Sequence, residues 1–353
     1  MSSAPDVLII GAGLSGLASA YQLRQLGVTA QVIEARSRVG GRTLSVRDEM
    51  NGTVADLGAA WIWPHQRRIG TLVETLGIDT IPQYESGSAL FETKADIDRF
   101  EPPGAYASLR FRHGAQHVCE RLAEELPGQL RLGARATAVA RAGDAITVTL
   151  DSGESLHTSH VVLALPPRVI LNTIAFTPPL PDSLHRALQQ THTWMGNTAK
   201  AVVTFDRPFW RERGLSGFAV SHVGPLRELH DASPQDASRG VIMGFFAGVE
   251  HFDESPALRR ERVVAQIQRV YDGATEPVRG YQDFAWWLDD LSAAPDDLTP
   301  LTEHPHYGGG ELAKGHWDDR LFFAAAETAS EHGGYLDGAV EAAMRSATLI
   351  TRH

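Results

Sequence analysis

The sequence predicts an α/β fold that begins with a strand, a helix and a second strand. Val7–Ile10 is a continuous apolar run, which is typical of a strand buried on both faces. Residues 11–16 follow at once and read G-A-G-L-S-G, which has the spacing G-x-G-x-x-G. A second apolar strand at 29–33 ends at Glu34. Together these observations indicate a Rossmann-like βαβ unit in a parallel sheet.

Each glycine of this motif has its own expected role. Gly11 permits a tight turn, Gly13 lets a pyrophosphate approach the backbone, and Gly16 lets the helix pack closely on the sheet. Ser15 lies at the start of that helix, where free N–H groups can bind phosphate. Glu34 can accept hydrogen bonds from an adenosine ribose and would repel a 2′-phosphate, so NADP is disfavoured. We therefore expect a bound dinucleotide.

Helical periodicity predicts further helices that cover the sheets. They end at typical stop signals, such as Gly27, Gly77 and Pro127-Gly128. The apolar positions that define four of them are Leu14, Leu17, Ala18 and Tyr21; Ile69, Leu72, Val73 and Leu76; Val118, Leu122 and Leu126; and Val263, Val264, Ile267 and Val270. Period-two alternation between residues 130 and 165 predicts a small antiparallel sheet, with turns at 142–144 and 152–153.

Residues 34–43, E-A-R-S-R-V-G-G-R-T, indicate which dinucleotide binds. A glycine pair lets the backbone approach the cofactor a second time, and arginines can pair with pyrophosphate oxygens. Here the sequence resembles the flavin-dependent monoamine and polyamine oxidase family, whose members carry E-A-R-x-R-x-G-G-R directly after the first βαβ unit. The resemblance implies FAD contacts from Glu34, Ala35, Arg36, Gly40, Gly41 and Arg42.

Other segments resemble the same family along most of the chain. Residues 53–61 resemble its D-x-G-x-x-W segment beside the flavin, and residues 161–167 resemble its V-x-A-x-P-P strand behind the cofactor. Residues 322–329 and 333–342 resemble its closing F-A-G-x-E-T-A and G-Y-x-x-G-A-V-x-A, with Ala325 where relatives commonly have glycine. The resemblance implies further cofactor contacts from Gly58, Ala59, Ala60, Trp61, Val139, Glu327, Gly334, Tyr335 and Leu336.

Lys200 is the main candidate for a catalytic residue. Residues 196–205 resemble the family's G-x-x-x-K strand, which forms the floor of the substrate domain. The resemblance implies that Lys200 holds a water beside flavin N5, the atom that accepts a hydride. Burying a lysine is costly unless its ammonium finds a partner. The alternative is a structural lysine that extends to solvent from an edge strand.

An aromatic sandwich is the second catalytic feature that the resemblance implies. Tyr335 would be one wall, which orients the amine, although a core aromatic residue at a helix start would look the same in sequence. Relatives that have a tyrosine as the second wall match Asp296 here. Trp286 or Trp287 could take its place, and we assign Trp287 as the candidate.

We expect noncovalent FAD and no metal. Some relatives attach flavin through a cysteine, but the matching position here is about Pro295, and the only cysteine is Cys119. His113 and His117 are predicted on one helix face, but no third ligand completes a metal site nearby. They are interpreted as surface residues. His65, Arg67 and Arg68 are also predicted on the solvated side of their helix.

Residues 81–108 depart from the family pattern. Full-length relatives have a long, mostly helical insertion there that covers the substrate cavity, whereas this segment is short and rich in charge and proline. Either the cavity is open, or a second subunit or another protein covers it. We assign 1–80, 109–189 and 289–353 to a discontinuous FAD-binding domain, and 81–108 and 190–288 to an α+β substrate domain.

Composition limits the possible partners. The chain has 353 residues, 43% of them hydrophobic, and a formal net charge of −11. This charge argues against nucleic acids and anionic membranes and mildly favours a cationic small molecule. One cysteine rules out an intramolecular disulfide, and no apolar run approaches the ~20 residues of a membrane span. With the first strand starting near Asp6, we expect no signal peptide and a cytoplasmic location.

The resemblance implies an oxidase that takes a hydride from the carbon bearing an amine and forms an imine, with oxygen accepting the electrons. Two alternatives stay open at this point. One is a carbon–carbon desaturase or tailoring oxidase that acts on a large or carrier-bound substrate. The other is a flavin-binding partner protein without turnover.

Overall fold

The computed structural model describes residues 5–47, 52–101, 107–272, 276–299, 301 and 303–352. The strands in this part of the chain are β1 Val7–Ile10, β2 Ala30–Ile33, β3 Ser45–Arg47, β4 Val54–Asp56, β5 Trp61–Ile62, β6 Thr80–Pro82, β7 Ser88–Glu92, β8 Ile97–Phe100, β9 Leu109–Phe111, β10 Leu130–Arg131, β11 Ala136–Ala142, β12 Ala145–Leu150, β13 Ser155–Thr158, β14 His160–Leu163, β15 Ala175–Thr177, β16 Ala199–Phe205, β17 Leu215–Ser221, β18 Leu226–Asp231, β19 Gly240–Phe246, β20 Val278–Ala285 and β21 Leu321–Phe323.

The helices lie mainly between these strands. They are α1 Leu14–Gln25, α2 Arg67–Thr75, α3 Gln116–Glu124, α4 Pro167–Thr173, α5 Asp182–Gln190, α6 Phe209–Glu212, α7 Pro256–Val270 and α8 Leu336–Ile350. Short 3₁₀ helices lie at Val249–Phe252, Trp286–Leu288, Pro295–Leu298, Gly310–Ala313 and Ala326–Thr328.

A parallel sheet in the order β10-β2-β1-β14-β21 forms the centre of the nucleotide-binding half. Strand β1 pairs in parallel with β2 on one side and β14 on the other, and all four of its residues are buried. Val7 and Ile9 pack among residues of α1 and α8, whereas Leu8 and Ile10 pack among residues of β11 and β12. The α/β prediction is therefore confirmed.

A smaller sheet in the order β13-β12-β11-β15 lies on the other face. Strands β11, β12 and β13 are antiparallel, as the period-two pattern predicts. Strand β15, which the pattern does not indicate, adds to β11 in parallel.

A seven-stranded sheet in the order β20-β16-β19-β18-β17-β7-β8 forms the other half of the molecule. It combines β7 and β8 with strands from residues 199–285, and both segments belong to the predicted substrate domain. Segment 81–108 thus contains two strands of this sheet in its described part, which its charge and proline content did not indicate; residues 102–106 lie outside the described residues.

The histidine prediction needs one correction. Helix α3 begins at Gln116, so His113 precedes it and does not share a helix face with His117, although their rings are 5.5 Å apart. In the described ranges, no group of three or more histidine, cysteine or acidic residues could hold a metal ion. In the same ranges, no helix combines the length and apolar character that a membrane crossing requires.

Gly16 controls how closely α1 approaches the sheet. A Cβ added there would lie 1.9 Å from the Gly11 carbonyl oxygen. We expect Gly16→Ala to lower the free energy of unfolding by at least about 2 kcal/mol, because backbone would have to move. The matched control is Gly70→Ala in α2, where nothing lies within 4 Å of the added Cβ. Its free energy of unfolding should rise by about 0.5–1 kcal/mol, because alanine is more favourable than glycine in a helix. Urea unfolding measures both variants, and a wild-type value for Gly16→Ala would contradict the contact.

Candidate active site

One cavity of about 220 Å³ joins the nucleotide motif to the seven-stranded sheet. Its walls come from the turn after β1, the segments after β2 and β4, strands β16 and β19, and the start of α8. The residues predicted from sequence that line it are Gly11, Gly13, Ser15, Glu34, Arg36, Gly40, Gly41, Arg42, Gly58, Ala59, Ala60, Trp61, Lys200, Gly334, Tyr335 and Leu336.

Five other predicted residues do not line this cavity. Gly16 packs against Gly11, and Val139 is fully buried in β11. Ala35 is partly buried between Glu34 and Arg36, and Glu327 is buried behind Arg42. Trp287 lies farther away, with its ring centroid 5.1 Å from that of Phe252. The structure therefore does not place Trp287 opposite Tyr335.

The two glycine turns touch each other and leave backbone exposed to the cavity. Gly40 N donates a hydrogen bond of 2.9 Å to Ala12 O, and Gly13 forms an isolated bridge with Gly40. A Cβ on Gly41, whose φ is +54°, would lie 3.3 Å from Gly13 Cα. Because these glycines carry no side chains, the two turns can lie in contact and a ligand can approach their backbone.

Glu34 is fixed at the edge of this cradle. Its Oε2 accepts a hydrogen bond of 2.8 Å from Ala12 N, and its Oε1 accepts one of 2.9 Å from Arg36 N. Arg36 in turn donates to Asp289 Oδ2 at 2.6 Å and to Ser292 Oγ at 2.8 Å. A carboxylate held in this way at the end of a strand suits a ribose, and the residues here fit a dinucleotide.

Arg42 forms a bidentate pair with Glu327 beside the cradle. Its Nη2 donates to Glu327 Oε2 at 2.8 Å, and its Nη1 donates to Oε1. The Glu327 side chain is completely buried, whereas that of Arg42 is 28% exposed. Glu327 therefore holds a guanidinium that lines the cavity, where a pyrophosphate could accept hydrogen bonds from it.

Lys200 lies in β16, a strand with neighbours on both sides. Its residue is 4% exposed, and Nζ donates a hydrogen bond of 2.7 Å to Gly58 O. The alternative of a lysine that reaches solvent from an edge strand is therefore wrong. Burial lowers the pKa of Lys200 to about 8, although Asp56 and Glu228 act to raise it.

Two aromatic rings lie beside the Lys200 ammonium. Nζ lies 4.6 Å from the ring centroid of Phe245 and 5.2 Å from that of Trp61. Such cation–π contacts offset part of the cost of burying the charge. Trp61 is fixed by a hydrogen bond of 2.8 Å from its Nε1 to Gln83 Oε1.

Tyr335 lies at the start of α8 and faces several rings. Its ring centroid is 6.4 Å from that of Trp194 and 6.1 Å from that of Trp63, and all three residues line the cavity. Trp286 also lines the cavity, and its Nε1 donates to Leu57 O at 3.0 Å. Burial raises the pKa of the Tyr335 hydroxyl. Asp296 is exposed to solvent.

Gly334 sets the spacing between Tyr335 and Trp194. Its φ is +80°, and an added Cβ would lie 2.7 Å from Trp194 Cβ. A glycine is therefore needed where the chain turns into α8. Because the first turn of α8 lines the cavity through Leu336, the positive end of the helix dipole lies beside the site.

Sequence reasoning missed three aromatic residues of the cavity: Trp63, Trp194 and Phe245. Trp63 follows Trp61 at the spacing of two that places strand residues on one face, so this signal was available. Phe245 pairs with Lys200 across β16 and β19, and a register between distant strands has no local signal.

The chain is similar to known flavin enzymes over nearly its whole length. It matches the family described as flavin containing amine oxidoreductase at residues 14–104 and 83–351. It is 27% identical to the putative flavin-containing monoamine oxidase AofH of Mycobacterium tuberculosis, over 98% of this chain and 96% of that protein. It is 25% identical to flavin-containing amine oxidase A of Sus scrofa, over 98% of this chain and 84% of that protein.

Solved structures show the same fold. Putrescine oxidase bound to putrescine has a TM-score of 0.83 and 23% identity, with 98% of each chain covered. Cyclohexylamine oxidase from Brevibacterium oxydans has a TM-score of 0.84 and 19% identity, again with 98% of each chain covered.

The relatives contain segments that this chain lacks. The alignment with the mycobacterial protein spans 451 positions, although this chain has only 353 residues. The two stretches that match the family overlap at residues 83–104, inside the short segment 81–108. From the length of this match and the cavity that accompanies it, we conclude that the chain belongs to the flavin-containing amine oxidoreductase family.

Proposed function

We propose that this protein is an amine oxidase that uses noncovalent FAD. The observation that carries the proposal is that one cavity joins the glycine cradle to a buried lysine and a group of aromatic rings. When bound there, FAD would accept a hydride at N5 from the carbon bearing the amine and pass two electrons to oxygen, giving hydrogen peroxide. The amine would become an imine, which water hydrolyses.

The nucleotide half of the cavity would bind the cofactor through backbone and charge. Gly11, Gly13, Gly40 and Gly41 leave room for the pyrophosphate, and Glu34 offers carboxylate oxygens near the ribose position. The N-terminus of α8 would favour negative charge beside it. These residues position the cofactor without reacting themselves.

The aromatic half would select and orient a neutral amine. Tyr335 and Trp194, whose rings are tilted by 44° with centroids 6.4 Å apart, are the pair we propose to line the amine site. Apolar rings exclude water, and desolvation favours the uncharged form of an amine. Only this form has the nitrogen lone pair that assists hydride loss from the neighbouring carbon. Putrescine oxidase and cyclohexylamine oxidase, both named for amines, are among the structural neighbours and support this assignment.

Lys200 would act mainly on the reaction with oxygen. Its ammonium lies in the cavity wall and donates one hydrogen bond to Gly58 O, which leaves further N–H groups for a water. A positive charge there would stabilise negative charge that develops as oxygen takes up electrons. With a pKa of about 8, Lys200 can also release a proton near neutral pH.

A second candidate is a carbon–carbon desaturase or tailoring oxidase on a large substrate. It is favoured by the family match, which falls into two stretches that overlap at residues 83–104. If a segment that covers the cavity in relatives is absent there, the cavity would admit a larger molecule. The same feature leaves room for a second subunit or another protein to cover the site.

We predict that FAD leaves the protein on denaturation. Cys119 is fully buried, and burial raises its pKa to about 12, so the reactive thiolate is absent at neutral pH. Acid precipitation of purified protein should therefore release all yellow colour into the supernatant. Cys119→Ser should behave in the same way. Colour that stays with the pellet would show a covalent bond and overturn this part of the proposal.

We predict that amines bleach the flavin absorbance without oxygen. A panel of primary amines, including putrescine and cyclohexylamine, is added anaerobically to the holoenzyme while the visible spectrum is recorded. At least one amine should reduce the flavin, and alcohols of the same carbon skeleton should not, because they lack the basic nitrogen. Peroxide should then form in air. A flavin spectrum that no amine changes would favour the second candidate or a flavin protein without turnover.

We predict that Lys200→Met separates the two half-reactions. Reduction by amine should stay near normal, whereas the reaction of the reduced enzyme with oxygen should slow at least about tenfold, or ~1.4 kcal/mol. In the wild type, the rate of flavin reoxidation by oxygen should fall as pH rises through about 8, because the Lys200 ammonium loses its charge. The variant should not show this pH dependence. Stopped-flow absorbance measures both rates. The exposed Lys94→Met is the control, and an unchanged oxygen rate in Lys200→Met would return Lys200 to a structural role.

A further inference from the structure

A second cavity of about 300 Å³ is lined in part by β4 and β9. We call it the arginine cavity; its charged or titratable lining residues are Arg47, Asp56, Arg110, Arg112 and His113. Its other walls include the turn between β18 and β19, so both halves of the molecule contribute to it. None of its lining residues belongs to the proposed amine site except Ala60, which lines both cavities.

Arg110 is the most unusual of these residues. It is 8% exposed, and it donates from Nη1 to Ala232 O at 2.8 Å and from Nη2 to Ser233 O at 2.6 Å. Its Nε is buried and has no hydrogen-bond partner among the residues that the structure describes. Within the described ranges no carboxylate forms an ion pair with Arg110. A buried cation with only carbonyl partners is costly, and burial lowers its pKa although Asp231 and Asp56 act to raise it.

The residues that line the arginine cavity include three arginines and one carboxylate, a balance that favours an anion over a cation. Arg47, Arg112 and His113 are exposed at the rim. Arg112 Nη2 donates a hydrogen bond of 3.1 Å to Gln235 Oε1, and Arg112 Nε lies 3.5 Å from Asp79 Oδ2. Asp56 is the carboxylate in the lining, and its Oδ1 accepts hydrogen bonds from Ser45 Oγ and Ala115 N. Burial raises the pKa of Asp56, although these hydrogen bonds and Lys200 lower it.

We propose that the arginine cavity binds a small oxyanion, either a phosphate or a carboxylate, between Arg110 and the rim arginines. An oxyanion accepts hydrogen bonds from guanidinium groups and would give Arg110 an anionic hydrogen-bond partner. Because the walls come from both halves of the molecule, the bound anion stabilises their contact. This inference is independent of the proposed oxidase activity, and its test measures stability and binding.

The test uses FAD-loaded protein, so that the nucleotide cavity is already filled. Thermal unfolding is followed in sodium phosphate, sodium acetate and sodium chloride at one ionic strength. At least one of the first two should raise the midpoint by about 3 °C or more over chloride, since a ligand of the native state stabilises it by mass action. A higher midpoint in phosphate alone or in acetate alone identifies the class of anion that binds. Equal increases in both salts indicate a site for oxyanions in general.

Variants locate the effect. Arg112→Ala and Arg47→Ala remove rim charges without touching the core, and calorimetric titration of the responding anion should show at least a fivefold weaker Kd in each. Arg110→Lys keeps the positive charge but removes the guanidinium group with its Nε. This variant should lose most of the anion-dependent rise in the unfolding midpoint. Arg67→Ala, an exposed arginine in α2, is the matched control and should bind as the wild type does.

Two results would overturn the proposal. One is a wild-type midpoint that neither phosphate nor acetate raises above the chloride value. The other is an anion response that persists unchanged in Arg47→Ala and Arg112→Ala, which would place the bound ion elsewhere. If Arg110→Lys fails to fold, these two rim variants decide the question.

Discussion

The cost of burying the Lys200 ammonium must be offset by hydrogen-bond acceptors and electron-rich neighbours. Gly58 O, Trp61 and Phe245 provide these contacts, and they come from different parts of the chain. The carbonyl partner, Gly58, belongs to the segment after β4, whereas Lys200 belongs to β16 of the seven-stranded sheet. A Cβ on Gly58 would lie 2.2 Å from Arg42 O, so only glycine lets the carbonyl take this position. One hydrogen bond therefore ties β16 to the segment after β4, and that segment packs on the backbone of Arg42.

The nucleotide half depends on close backbone packing between its glycine turns. Gly11, Gly13 and Gly16 bring a strand, a turn and a helix within van der Waals contact, and the second glycine pair closes against the first. The charged residues around them are held by fixed partners, such as Glu327 for Arg42 and Asp289 for Arg36. Glycine turns and fixed charged residues therefore form one part of the cavity wall, and aromatic side chains form another part.

The local parts of this arrangement could be predicted from the sequence. The βαβ unit and its glycines depend on contacts between residues close in the chain, and they lie as predicted. Residues brought together by distant strands could not be predicted, and Phe245 beside Lys200 is the clearest case. Trp286 and Trp287 show another limit: they are adjacent in a 3₁₀ helix that points one ring to the cavity and the other to Phe252. Because neighbouring residues of this helix point in different directions, only Trp286 of the two lines the cavity.

The shortened segment also has a consequence for self-association. Strand β8 is the outermost strand of the seven-stranded sheet, so one of its sides presents backbone groups that another chain could pair with. Its central residues are Asp98 and Arg99, both exposed, and charged side chains on an edge disfavour such pairing. The charged residues of β8 thus keep this sheet edge from pairing with another chain and acting as a template for fibre growth.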